Sequence, residues 1–143
     1  MSTAIQAALA GEYAAIYAYG RAGGRLTADQ DVALLHLSVH RTVRDTLRQW
    51  LLDDDEQPAP PAAAYTLPGP VNSDRQAREL LALVELRLIP LYTELIAEQF
   101  EDPQRRRRAV REVRDCALRA QSWGAPGQAF PWPTDLAAPS APS

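Results

Sequence analysis

Apolar residues recur every three or four positions in four stretches of the chain, with glycine- and proline-rich breaks between them. That period belongs to an amphipathic α-helix. Ala and Leu dominate and β-branched residues are sparse, which favours helix over strand.

The spacing predicts a first helix from Thr3 to Arg21, with Ile5, Leu9, Ile16 and Tyr19 on its stripe and Gly20, Gly23 and Gly24 ending it. A second helix opens at Thr27, which stands at capping-box spacing from Gln30. Its stripe is Val32, Leu35, Val39, Val43, Leu47 and Trp50, and it runs out in Asp53, Asp54, Asp55 and Glu56. Ser73 and Gln76 repeat the capping-box spacing and start a third helix, which buries Leu80, Leu81, Val84, Leu88, Leu91, Tyr92 and Leu95. Pro90 sits inside that pattern and should kink it, because the ring displaces the backbone and removes a donor. Asp102 and Pro103 read as N-cap and first position of a fourth helix, with Ala109, Val113, Cys116, Ala117, Ala120 and Trp123 inward. The expected organisation is a four-helix bundle over residues 1–123 and a Pro/Ala-rich tail over 124–143, whose Phe130 and Trp132 could dock on it.

The proline-rich stretch from Gln57 to Asn72 decides the topology. A second helix of about 25 residues is roughly 37 Å long. A linker of roughly 16 residues reaches about 50 Å at polyproline rise. It can therefore travel the whole bundle and start the third helix parallel to the second, as a long crossover. Charge points the same way. The acidic end of the second helix and Arg105, Arg106, Arg107 and Arg108 each oppose their own helix dipole. The crossover puts these clusters at the same end of the bundle, where they offset each other.

Composition then limits the function classes. The chain is 46% hydrophobic and 23% charged, as a soluble domain is. A net charge of −3 gives no general attraction to nucleic acid or to an anionic membrane, and no uncharged apolar run is long enough to span a bilayer. The first basic residue is Arg21 and Glu12 interrupts the first apolar stretch, a poor match to a signal peptide, so cytoplasmic residence is expected. The single cysteine, Cys116, excludes an internal disulfide and any multi-cysteine zinc site. No phosphate loop or nucleophile elbow is present.

Candidate chemistry lies in polar residues on apolar stripes. Glu12 shares the direction of Leu9 and Ile16, and His40 that of Val43 and Leu47. Glu85 lies between Leu81 and Leu88, and Glu112 borders the stripe through Cys116. Each sits near the middle of its helix, so packing side by side brings them to one level. A buried carboxylate needs a partner, a proton or a metal. Three readings remain open here: a metal site, a non-metal ligand site, or a layer of ion pairs. Arg119 could face Glu85, Arg41 or Arg44 could serve Asp45, and Tyr92 and Asp115 lie close to the same level.

Two resemblances bear on the choice. Di-iron proteins of the ferritin-like class place one Glu on each of two helices and Glu-x-x-His on the other two. Glu12 and Glu85 match the single Glu positions, His40 matches the second-helix His and Glu112 the fourth-helix Glu. Leu37 stands where a second-helix Glu is expected and Asp115 where a fourth-helix His is expected. Closer still, the run from Glu12 to Gly20 resembles the first helix of an uncharacterised ferritin-like family frequent in actinobacteria. His40-Arg41, Arg44-Asp45, Leu67-Pro68, Leu83 to Glu85 and Trp123 with Ala129-Phe130-Pro131 extend that likeness over nearly the whole chain. The resemblance implies a ferritin-like four-helix bundle and supplies no settled activity. Two functions follow as expectations. One is a non-catalytic interaction or ligand-binding module, with a protein partner or a second copy. The other is a metal-dependent oxidoreductase-like protein with a degenerate iron or manganese site.

Overall fold

The computed structural model describes residues 2–126, and the docking expected of Phe130 and Trp132 lies outside them. Four helices follow in order: α1 (Thr3–Gly23), α2 (Gln30–Asp53), α3 (Asp74–Glu98) and α4 (Pro103–Ser122). Among the described residues there is no strand.

Helix ends form where the sequence supplies acceptors. Ser73 accepts from the backbone N–H of Gln76, whose own side chain accepts from Asn72 N–H. Asp102 accepts from the N–H groups of Gln104 and Arg105. The start of α2 differs from expectation. Its N-cap is Asp29, in the left-handed region at φ 62°, and Thr27 lies outside the helix. The reason is tertiary: the backbone N–H and the hydroxyl of Thr27 both donate to Asp74 at 2.9 and 3.1 Å. Helix α3 runs on through Pro90.

Helices α1–α2, α1–α3 and α3–α4 pack as neighbours. At one end, Thr27 and Asp29 before α2 meet Asp74 and Arg78 at the start of α3. At the other end, Arg105 of α4 grips Asp54 just past α2 at 2.7 Å, and the start of α1 meets Glu98 at the end of α3. Helices α2 and α3 therefore run in the same direction, and residues between them cross the length of the bundle. Tyr13 donates to Ala59 O, Gln6 donates to Gln57 O and accepts from Ala59 N–H, and the Tyr17 and Tyr65 rings pack at 5.4 Å. These contacts pin the crossover to α1.

The core is mainly aliphatic, with Ile5, Leu9, Leu47, Leu51, Leu81, Leu88 and Leu95 fully buried. Leu35, expected inside, is 62% exposed. The buried side of α2 follows Ala33, His40, Val43, Leu47 and Leu51. Leu35 lies five residues from His40, hence about 140° around the helix. Val113 and Ala117 are half-buried, because the inward face of α4 is centred on Ala109, Glu112, Cys116 and Ala120.

Candidate functional site

Halfway along the bundle the aliphatic core is interrupted by a charged layer. Glu12, His40 and Glu85 have no exposed surface. They come from α1, α2 and α3, each at the inward position that its apolar neighbours set. His40 stands between the carboxylates. Its Nδ1 is 2.6 Å from Glu12 Oε2 and its Nε2 is 2.7 Å from Glu85 Oε1. The ring form that satisfies both contacts is the imidazolium, which donates twice. Burial pushes the His40 pKa down, but the hydrogen bonds and charges of Glu12 and Glu85 outweigh it and raise it to about 9.

Both carboxylates have further donors. Tyr92 donates its hydroxyl to Glu12 Oε1 at 2.5 Å. Glu85 Oε1 also accepts from Tyr19 OH at 2.7 Å and from Arg119 Nε at 3.0 Å. Burial alone would lift the Glu85 carboxyl, but His40, Arg119 and Tyr19 together hold it below the usual carboxylate range. Two cations, His40 and Arg119, thus face Glu12 and Glu85 inside the core. Burial, reinforced by the adjacent carboxylates, lifts both tyrosine hydroxyls far above their ordinary pKa, so they stay protonated donors.

The layer extends outward through Tyr19. Its oxygen accepts from the Trp123 indole N–H at 2.9 Å and lies 3.3 Å from His36 Nδ1. His36 is half-buried, and burial lowers its pKa. Neither Tyr19 nor Trp123 stood out in the sequence as polar, because an aromatic at helical spacing reads as core. The available signal was that Tyr19 follows Glu12 by seven residues, two helical turns on the same face.

The remaining expected residues divide. Tyr92 and Arg119 enter the layer. Glu112 is buried beside it but pairs with Arg108 at 2.8 Å, and its Oε2 is 4.0 Å from Arg119. Burial raises the Glu112 pKa, and Arg108 offsets part of that rise. Asp115 lies outside the layer, bonded to Arg114 at 3.1 Å, since it is one residue and about 100° away from buried Cys116. Arg41 is exposed, and Asp45 pairs with Arg44 at 2.8 Å on the surface. Leu37 packs in the aliphatic cluster around Tyr19 and Trp123. Burial pushes the Cys116 thiol well up, which removes it as a nucleophile at neutral pH.

These residues do not fit a di-iron centre. Both nitrogens of His40 and both oxygens of Glu12 are already engaged, and Arg119 brings a positive charge onto Glu85. Among the described residues, no group of three or more His, Cys, Asp and Glu is arranged to hold a metal ion. No described helix is long and apolar enough to cross a membrane.

Fold and layer together define an all-α four-helix bundle with a long crossover and an ionised core. The chain belongs to the DUF4439 family, a domain of unknown function, whose model matches residues 4–134. It is similar to the crystal structure of a conserved hypothetical protein from Mycobacterium tuberculosis. The two are 27% identical, with a TM-score of 0.79 over 84% of this chain and 91% of that one. No curated protein matches the chain.

Proposed function

We propose that this protein is a ferritin-like bundle without a catalytic metal, acting as an interaction or ligand-binding module. In this reading His40 occupies the level at which di-iron relatives of the fold hold their metal, and its imidazolium supplies the positive charge that binds the carboxylates together. The observation that carries the reading is the closure of the layer. Glu12, His40 and Glu85 have no exposed surface, and each ring nitrogen of His40 already meets a carboxylate. A catalytic centre needs a group within reach of substrate; these three have none. Iron storage is excluded from the reading for the same reason. The reading carries with it cytoplasmic residence and a protein partner, either a second copy or another chain.

Metal analysis of protein purified without a metal-affinity tag tests it. The expected result is less than stoichiometric iron or manganese, with no difference between wild type and Glu12→Ala. Stoichiometric iron or manganese that disappears in Glu12→Ala would instead establish an oxidoreductase-like metal site.

A further inference from the structure

The crossover does not fill the seam between α1 and α3. Where it passes over that seam it leaves an apolar pocket of about 270 Å³, walled by Ala14 and Ala18 of α1, Tyr65 and Leu67 of the crossover, and Val84 and Leu91 of α3. Ala14, Leu67, Val84 and Leu91 are half-buried, so the pocket opens to solvent on one side. Glu12, His40 and Glu85 take no part in its wall.

The one charged side chain in the wall is Arg87. It lies three residues after Val84 and four before Leu91, on the stripe of α3 that lines the pocket. Its other neighbours at helical spacing are Leu83 and Pro90, so no acid stands within reach along the helix. The crossover carries no acid from Gln57 to Asn72. Arg78, on the same helix, is held by Asp29 and Asp74, and Arg75 by Glu79. Arg87 has no hydrogen-bond or ion-pair partner among the described residues. We propose that this pocket binds a small monocarboxylate with an elongated aliphatic body, its carboxylate on Arg87.

Charge, shape and size support that class. The guanidinium fork matches a carboxylate in a bidentate contact. A cation is repelled, and a dianion would leave one charge unmatched. From Arg87 the lining runs back to Leu80, seven residues or about 10 Å along α3, which suits a chain better than a compact ring. A dry cavity of about 150 Å³ holds benzene, so the pocket takes an apolar body of roughly ten carbons. Tyr65 and Thr66 add hydroxyls to the wall and no charge.

The proposal supplies a ligand class for the ligand-binding reading above. Its test does not involve metal, so its failure would leave the metal analysis of the charged layer standing, and the reverse.

Calorimetric titration and methyl NMR of the full chain test it, with decanoate and decylammonium as probes. The two have the same chain length and opposite charge, and both are kept below their micelle-forming concentrations. The wild type is expected to bind one decanoate, with shifts at the Leu67, Val84 and Leu91 methyl groups. At low salt it should favour decanoate over decylammonium by about tenfold, since attraction of one and repulsion of the other both count. Arg87→Glu is expected to invert that preference, and Ala14→Leu, which fills the pocket, to remove binding of both probes. Arg87 is exposed and Ala14 half-buried, and a wild-type far-UV spectrum with a cooperative melt identifies folded variants. Absence of saturable decanoate binding, or equal affinity for the two probes, overturns the proposal. So does a preference that Arg87→Glu leaves unchanged, binding that survives Ala14→Leu, or shifts at Val110 and Leu118 in place of the pocket methyl groups.

Discussion

Arg119 of α4 donates its Nε proton to Glu85 of α3 at 3.0 Å, on the same oxygen that accepts from His40 and Tyr19. The contact joins all four helices through one carboxylate, since Tyr19 reaches it from α1 and His40 from α2. Buried ion pairs of this kind contribute little net stability relative to an apolar core, yet breaking one partner is costly. Glu85 Oε2 is buried with no hydrogen-bond partner among the described residues, which leaves the whole donor load on Oε1.

The Arg119–Glu85 pair should therefore show strong coupling. Arg119→Met is expected to cost about 3 kcal/mol, because it leaves a buried carboxylate with less positive charge. The double variant Arg119→Met/Glu85→Gln should lose less than the two single losses added, by roughly 0.5–3 kcal/mol. Chemical denaturation of the four proteins gives the cycle, and strictly additive losses would contradict the contact.

Stability should fall on the alkaline side. The folded pKa of His40 is raised from 6.5 to about 9. A group whose folded pKa is raised contributes stability that is complete below the unfolded value and lost as pH rises through the folded one. The window is thus from about pH 6.5 to pH 9, and the loss is on the order of 3 kcal/mol. Glu112, raised by burial, acts in the same direction at lower pH. Glu85 is lowered and acts oppositely, losing its contribution in acid. Thermal melts from pH 6 to pH 10 should show the alkaline loss in the wild type and its absence in His40→Gln.

Glu12→Gln separates charge from shape. Both Glu12 oxygens accept hydrogen bonds, one from His40 and one from Tyr92. An amide retains one acceptor and turns a donor toward the other partner, while removing the charge that faces the imidazolium. The expected cost is about 3–5 kcal/mol at neutral pH. A melting temperature equal to that of the wild type would contradict the pairing of the Glu12 carboxylate with His40.

One turn of α1 sets the depth of this layer. A Cβ at Gly11 would lie 2.6 Å from Leu91 Cδ1 and 2.9 Å from Leu88 Cδ2. Leu88 is fully buried and has little room to yield. Gly11→Ala gains about 1 kcal/mol in helix propensity but incurs an overpacking cost of about 1–3 kcal/mol. Net destabilisation is expected in urea titrations, and a stabilised Gly11→Ala protein would show that α1 and α3 can separate freely.

Much of this architecture was legible in the sequence. The Ser73 and Asp102 caps form as read, the linker is long enough for the crossover, and the acidic end of α2 meets Arg105. The positions of Glu12, His40 and Glu85 followed from mid-helix placement on apolar stripes. What stayed hidden depends on rotation and packing. Asp115 and Arg119 are both near the right level, and only the phase of α4 sends one outward and the other to Glu85. The hydroxyl of Tyr19 found its role through where its ring packed, against His40 and Trp123, which periodicity does not encode. Thr27 was drawn away from its cap by Asp74, a contact that exists only once α2 and α3 are parallel.

The central claim is that an imidazolium, not a metal ion, holds the layer together. The nitrogen NMR signals of the His40 ring test it most directly, recorded across pH and during addition of iron(II) or manganese(II). The account predicts that both ring nitrogens are protonated at neutral pH, titrate together near 9, and are unchanged by a stoichiometric amount of either metal. A neutral ring at pH 7, or signals that broaden and vanish with one equivalent of metal, would contradict it.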